Sequence, residues 1–409
     1  MKKFAWAAGV SAAVLATSLW AAPAKKAGAA KDPPPIASYW MDVATQSGMG
    51  AGMSQGQRPD MGQVMAMMRG GGGAVMHTLD LRLASRDKPA AAPQADHLIP
   101  PGLQMGASLP LVTPAAVREE PATPGLPANF QKPKGRMLIY WGCGEHVGAT
   151  QPTVIDFAKV AEGQVPPGMA AMASMAHLVT GPTSAPGFGR WPNQKDSRAV
   201  PAAGSLVGAH KVEANYAPPI GFSLNAGQDF MASLNLAEAG PLPSGATPLR
   251  WQTAPNATGY ALAMFGATAS GDVVMWSSAS KAAMPALDYV TPSEVKRLIA
   301  AGAVLPPSTS QCLLPAEVAA AVPAGVVTMI GYGPEAYFAE KPKAPTWTTR
   351  VRYKTTASLM HGMGGMMGGA MSQSAPEQQQ PQAGQEPPKK KKKGFGLGDL
   401  LGGALPVPH

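Results

Sequence analysis

The sequence predicts a mainly β protein: two antiparallel β-sandwich-like domains, the second with a short two-helix insertion, flanked by disordered Gly/Met/Pro-rich arms. Three observations carry this. His77 to Ala84 sets Leu79, Leu81 and Leu83 on one face and Asp80 and Arg82 on the other, the period of a half-buried strand, and Trp347 to Thr355 alternates in the same way. No long amphipathic helix interrupts 75–240. Of 409 residues, 47 are Gly and 43 are Pro; they gather in a few tracts, so folded domains alternate with low-complexity segments.

The first element is an export signal over 1–24. Lys2 and Lys3 precede an uncharged run from Phe4, which ends in the small-x-small site Ala22-Pro23-Ala24, so cleavage leaves Lys25 as the mature N-terminus. An exported product belongs in the periplasm or outside the cell. Residues 25–74 follow as a Met/Gly-rich segment that buries too little apolar surface to order itself.

The first β domain spans 75–240. After the strand at His77 to Ala84, Met137 to Trp141 is a continuous apolar run that suits a strand covered on both faces. Alternation returns at Lys211 to Tyr216 and around Phe230 to Leu236. The Pro/Gly-rich stretch 164–208 reads as a long surface loop.

The second β domain spans 245–357. Leu249 to Trp251, Tyr260 to Phe265, Asp272 to Trp276 and Trp347 to Thr355 are its strands. Thr291 as N-cap, Pro292 in the first turn and Glu294 three residues after the cap signal a helix closed by Gly302, and a second short helix is expected over Pro315 to Val322. Trp251 on one strand and Gly259-Tyr260 opening the facing strand resemble the fibronectin type III pattern over roughly residues 245–357, which implies a β-sandwich. Val322 to Val327 lacks the tyrosine expected after that family's Leu-x-Pro-Gly corner, and the two helices are an insertion. Residues 358–409 form a disordered Met/Gly/Gln-rich tail with a polybasic run.

Charge narrows the partners. Of the net +9, Lys2 and Lys3 carry two and Lys389 to Lys393 five, leaving +2 for everything else. The basic balance is one tail patch, not a nucleic-acid groove, so no nucleic-acid partner is expected. Lys389, Lys390, Lys391, Lys392 and Lys393, with Phe395 beside them, are candidates for contact with an anionic membrane surface or wall polymer, or form a solvated tail. Cys143 and Cys312 can bridge in an oxidising compartment or remain two buried thiols.

Candidate chemistry is sparse. Met65, Met67, Met68 and Met76 precede His77; Met169, Met172 and Met175 precede His177; Met360 and His361 precede Met363, Met366, Met367 and Met371. Thioether with imidazole favours Cu(I), although methionine also fills cores and low-complexity tracts without metal. Cys143-Gly-Glu-His146 offers two of the four ligands a closed zinc site needs. Ser278-Ala-Ser-Lys281 matches Ser-x-x-Lys, but the serine follows a strand and the companion motifs are missing. Hydrolase, P-loop and dinucleotide fingerprints are absent. The sequence therefore reads as a non-enzymatic, cofactor-free envelope protein that binds or scaffolds an envelope protein, wall polymer or anionic membrane surface. Its oligomeric state is left open. The alternative is a periplasmic copper-handling protein.

Overall fold

A computed structural model describes residues 33–49, 75–114, 135–161 and 179–362. Its strands, in chain order, are β1 (Ala37–Gly48), β2 (Met76–Ser85), β3 (Ala95–Leu98), β4 (Ser108–Pro110), β5 (Arg136–Trp141), β6 (Thr153–Asp156), β7 (Gly187–Trp191), β8 (Gly208–Ala214), β9 (Ala217–Leu224), β10 (Ala237–Glu238), β11 (Thr247–Arg250), β12 (Gly259–Ala267), β13 (Val273–Ser277), β14 (Gln311–Leu314), β15 (Gly325–Ala339) and β16 (Trp347–His361). Helix α1 (Phe157–Ala161) follows β6; α2 (Pro292–Ala300) precedes β14 and α3 (Ala316–Ala321) follows it. No helix among the described residues is long and apolar enough to cross a membrane.

The strands form three sheets. Nine of them run in the order β6-β5-β13-β12-β15-β16-β1-β2-β7, four in the order β4-β3-β8-β9, and three in the order β10-β11-β14. The inner face of the large sheet carries Tyr39, Met41 and Val43 of β1, Leu79, Leu81 and Leu83 of β2, and Val351 and Tyr353 of β16. These pack in one core with Val212 and Ile220 of the four-stranded sheet and Leu249 and Leu314 of the three-stranded sheet. The mainly β class follows from this alternation: each strand has one apolar face, and the layers bury them against one another.

The large sheet does not follow the expected division near residue 240. Strands from both expected domains share it, and the described residues all belong to one compact unit ending at Gly362. Nor is it wholly antiparallel, because β1 runs parallel to β16 and β5 parallel to β13. The physical reason is β1. It falls in the segment expected to be disordered, yet Ser38 to Ser47 is a β-prone run with β16 on one side and β2 on the other, which welds the two halves of the chain together. The 164–208 stretch contributes β7 and is not one loop. Residues 230–236 form no strand: Met231 and Leu234 are buried in irregular chain, in which Asn235 takes φ 47°. The sequence reading missed β9, which carries Pro218 and Pro219 and lies at a sheet edge, where missing N–H donors are tolerated.

Other elements form as read. Thr291 Oγ1 accepts the Glu294 N–H to cap α2, and Gly302 closes it at φ +70°. Val295 and Leu298 of α2 then bury against Ala261, Ile330 and Tyr332 on the outer face of the large sheet. Trp251 and Tyr260 meet edge to face at 5.8 Å.

Candidate functional site

The half of the outer face that α2 leaves uncovered is polar and ordered. Across β7, β2, β1, β16 and β15, the strand registers align Arg190, Arg82, Trp40, Arg350 and Tyr337 in one row. The adjacent row holds Asp80, Asp42, Arg352 and Glu335. This arrangement needs a register shift in β15 between Tyr332 and Glu335, where Pro334 interrupts the ladder and re-aims the chain.

Along β16 the cations Arg350, Arg352 and Lys354 recur every second residue, and aromatic rings fill the gaps between them. Arg350 and Arg352 both lie over the Trp40 ring, at 5.0 and 4.9 Å from its centroid. Arg352 and Lys354 lie over Tyr289, at 4.6 and 4.2 Å. The result is an alternating stack of Arg350, Trp40, Arg352, Tyr289 and Lys354. Such contacts contribute roughly 0.5–2 kcal/mol each, more as they are desolvated.

Each cation also meets a carboxylate. Arg352 donates to both oxygens of Asp42, at 2.6 and 2.5 Å, and a third N–H goes to the Val179 carbonyl. Arg82 is bidentate to Asp80 at 3.0 and 2.8 Å, Arg350 pairs with Glu335 at 2.7 Å, and Lys354 with Asp288 at 3.0 Å. Arg190 reaches Asp80 at 3.6 Å. Burial raises the Asp42 carboxyl, and the Arg352 hydrogen bonds pull it partway back; burial also raises the Tyr289 hydroxyl.

Five cations face four carboxylates, and the deep pair is sealed while the ends are open. The Asp42 and Arg352 side chains are 5% and 6% exposed, Arg350 is 23% exposed and Tyr337 67%. Gly181 packs on Trp40 and Arg82, covering the middle of the row. Arg190, at the opposite end, is 34% exposed, so the row is open at both ends, and the Arg350 end carries the exposed Tyr337 ring.

The sequence-predicted residues fare differently. Cys143 and Cys312 are bridged, with Cα atoms 4.9 Å apart, tying the loop after β5 to β14. His146 beside them pairs with α3: its Nδ1 lies 2.9 Å from Glu317 Oε1 in the first turn, and the Val147 N–H donates to the other oxygen. Ser278 Oγ accepts the Leu262 N–H, fixing it in the strand ladder. Of the Met/His sets, Met76, His77, Met360 and His361 are described. His77 stacks on Phe230 at 3.8 Å, and His361 Nδ1 lies 2.9 Å from Glu238 Oε2. Met169, Met172, Met175, His177, Met363, Met366 and Met367 lie outside the described residues, as do Lys389 to Lys393, Phe395 and the export signal. No group of three or more His, Cys, Asp or Glu able to hold a metal occurs among the described residues. The alternation of Arg350, Arg352 and Lys354 was visible in the sequence; Trp40 and Tyr289, which complete the stack, and Asp42 beneath it were not connected to it. Compared with known proteins, the chain matches no family model, no curated protein and no solved structure.

Proposed function

We propose that the chain is an exported, non-enzymatic binding or scaffolding protein of the cell envelope, and that it holds an acidic wall polysaccharide on the outer face of its large sheet. The observation that carries this reading is the row Arg190, Arg82, Trp40, Arg350, Tyr337, open at both ends, with the exposed Tyr337 ring beside Arg350. Planar guanidinium forks suit carboxylates, and an exposed tyrosine ring offers an amphipathic face to a sugar. Rigid β strands hold these groups in register, and ion pairs on their inner edge fix their rotamers, which lowers the entropy lost on binding. The disulfide is in keeping with an oxidising compartment.

The test is cosedimentation of the full chain with purified wall polysaccharide and, separately, with anionic vesicles. The double substitution Arg350→Gln with Tyr337→Ala is expected to weaken polysaccharide binding at least tenfold, while changing Lys389 to Lys393 to Gln leaves it intact. Binding that survives the first change, or binding to vesicles alone, overturns the reading. Export is tested by cell fractionation, with the mature chain expected in the periplasm or medium.

A further inference from the structure

Tyr39, His97 and His210 link the large sheet to the four-stranded sheet through a buried hydrogen-bonded chain whose direction is set at one end. His210 Nε2 lies 2.7 Å from the Leu206 carbonyl oxygen, which can only accept, so Nε2 carries a proton. In a neutral His210, Nδ1 is then an acceptor, and His97 Nε2 donates to it at 3.0 Å. His97 Nδ1 is left as the acceptor for the Tyr39 hydroxyl at 2.9 Å. With both rings neutral, every link has one donor and one acceptor.

The surroundings hold both rings neutral. Phe222 of β9 stacks on His210 with centroids 5.0 Å apart, and Phe338 of β15 packs on Phe222. From β8, Val212 stands opposite His97, and from β4, Leu109 does. Among the described residues neither imidazole forms an ion pair. The carboxylate connected to the far end is Asp229, which takes the Leu206 N–H at 2.8 Å and the Ser205 hydroxyl at 2.6 Å. Asp80 of β2 acts on Tyr39. Burial lowers both imidazoles, His97 furthest, with His210 adding to the effect there.

We propose that this chain is a proton-sensitive latch, which holds the four-stranded sheet against the large sheet at neutral pH and loosens it in acid. The inference stands independently of the polysaccharide reading. A first added proton fits at His97 Nδ1, whose N–H then donates to the Tyr39 oxygen while Nε2 still donates to His210 Nδ1, so the Tyr39 O–H must turn away and loses its acceptor. A second proton sets N–H against N–H. Once the sheets separate, both rings can take protons near their ordinary value of about 6.5. Below that value the open form binds more protons than the latched form, so the latched population falls as pH falls, by up to about tenfold per pH unit for each imidazole.

Hydrogen exchange of the full chain at pH 7.5 and pH 5.0, corrected for the intrinsic pH dependence of exchange, tests this. At pH 5.0, residues 95–98 and 208–224 are expected to lose at least tenfold in protection while β12 and β13 keep theirs. Unchanged protection in those segments, or an equal loss in every strand, overturns the proposal. The double substitution His97→Gln with His210→Gln keeps one donor and one acceptor at each link but cannot titrate, so in acid its residues 95–98 and 208–224 should lose no more protection than its other strands, which share whatever His77 contributes. An undiminished acid response in that variant overturns the proposal as well. If the variant fails to fold, the wild-type exchange pattern alone decides.

Discussion

Asp42 and Arg352 lie 310 residues apart in sequence and directly opposite each other across the parallel pair β1 and β16. Their paired charges are buried beneath the stack of Trp40 and Tyr289, so each is the other's main compensation for lost water.

Arg352→Met leaves the Asp42 carboxylate buried without its counter-charge, and about 3–5 kcal/mol of stability is expected to be lost. Asp42→Leu combined with Arg352→Met removes both charges and should recover most of that loss. Urea unfolding of the singles and the double supplies the coupling energy. Singles costing less than about 1 kcal/mol would show that water reaches the pair.

The disulfide closes a sequence separation of 169 residues. Replacing Cys143 and Cys312 by Ser should lower stability by about 2–5 kcal/mol, chiefly by freeing the unfolded chain. Loss of the bridge should also loosen the docking of His146 and Val147 on Glu317. Thermal melts with and without reductant check this; a wild-type melt indifferent to reductant would contradict it.

At Gly259 an added Cβ would stand 2.8 Å from Val304 and 3.0 Å from Val295, so α2 sits against bare backbone there. Gly259→Ala should force helix and strand apart at a cost of about 1–3 kcal/mol. Exchange protection should fall first in 292–300. A variant as stable as wild type would mean that the Val304 and Val295 side chains yield freely.

His77 is buried against Phe230, and that burial lowers its imidazole. The unfolded chain therefore takes a proton near pH 6.5 that the folded chain refuses, and stability falls as pH drops below that value. His77→Gln should flatten the dependence by up to about 1.4 kcal/mol per pH unit between pH 6.5 and the folded value. Urea midpoints from pH 5 to pH 8 measure this, and equal slopes in both proteins would show that His77 titrates freely when folded.

What the sequence disclosed is what local pattern controls. β2 and β16 announce themselves because one face is apolar and the other charged, and α2 because its cap and closing glycine lie within a dozen residues. β1 hides because both of its faces are largely buried: Met41 and Val43 enter the core while Asp42 is sealed under the stack, which blurs the alternation. It also lies beside Gly/Met-rich sequence that dominates any compositional reading. The aromatic and charged face was half legible, since β16 shows its cations, whereas their partners Trp40, Asp42 and Tyr289 come from distant segments. Tyr39, His97 and His210 are single residues on three strands, joined only by the packing of two sheets.

The parallel pairing of β1 with β16 also sets a schedule. A chain grows from its N-terminus at about 5–20 residues per second, so a strand waiting for a neighbour 310 residues downstream waits on the order of 15–60 s. During that interval β1 has only β2 for company, and the groups later shared with β16 face water. The centre of the large sheet is thus the last part to close, and synthesis of the described chain must be nearly complete before its two halves can be sewn together.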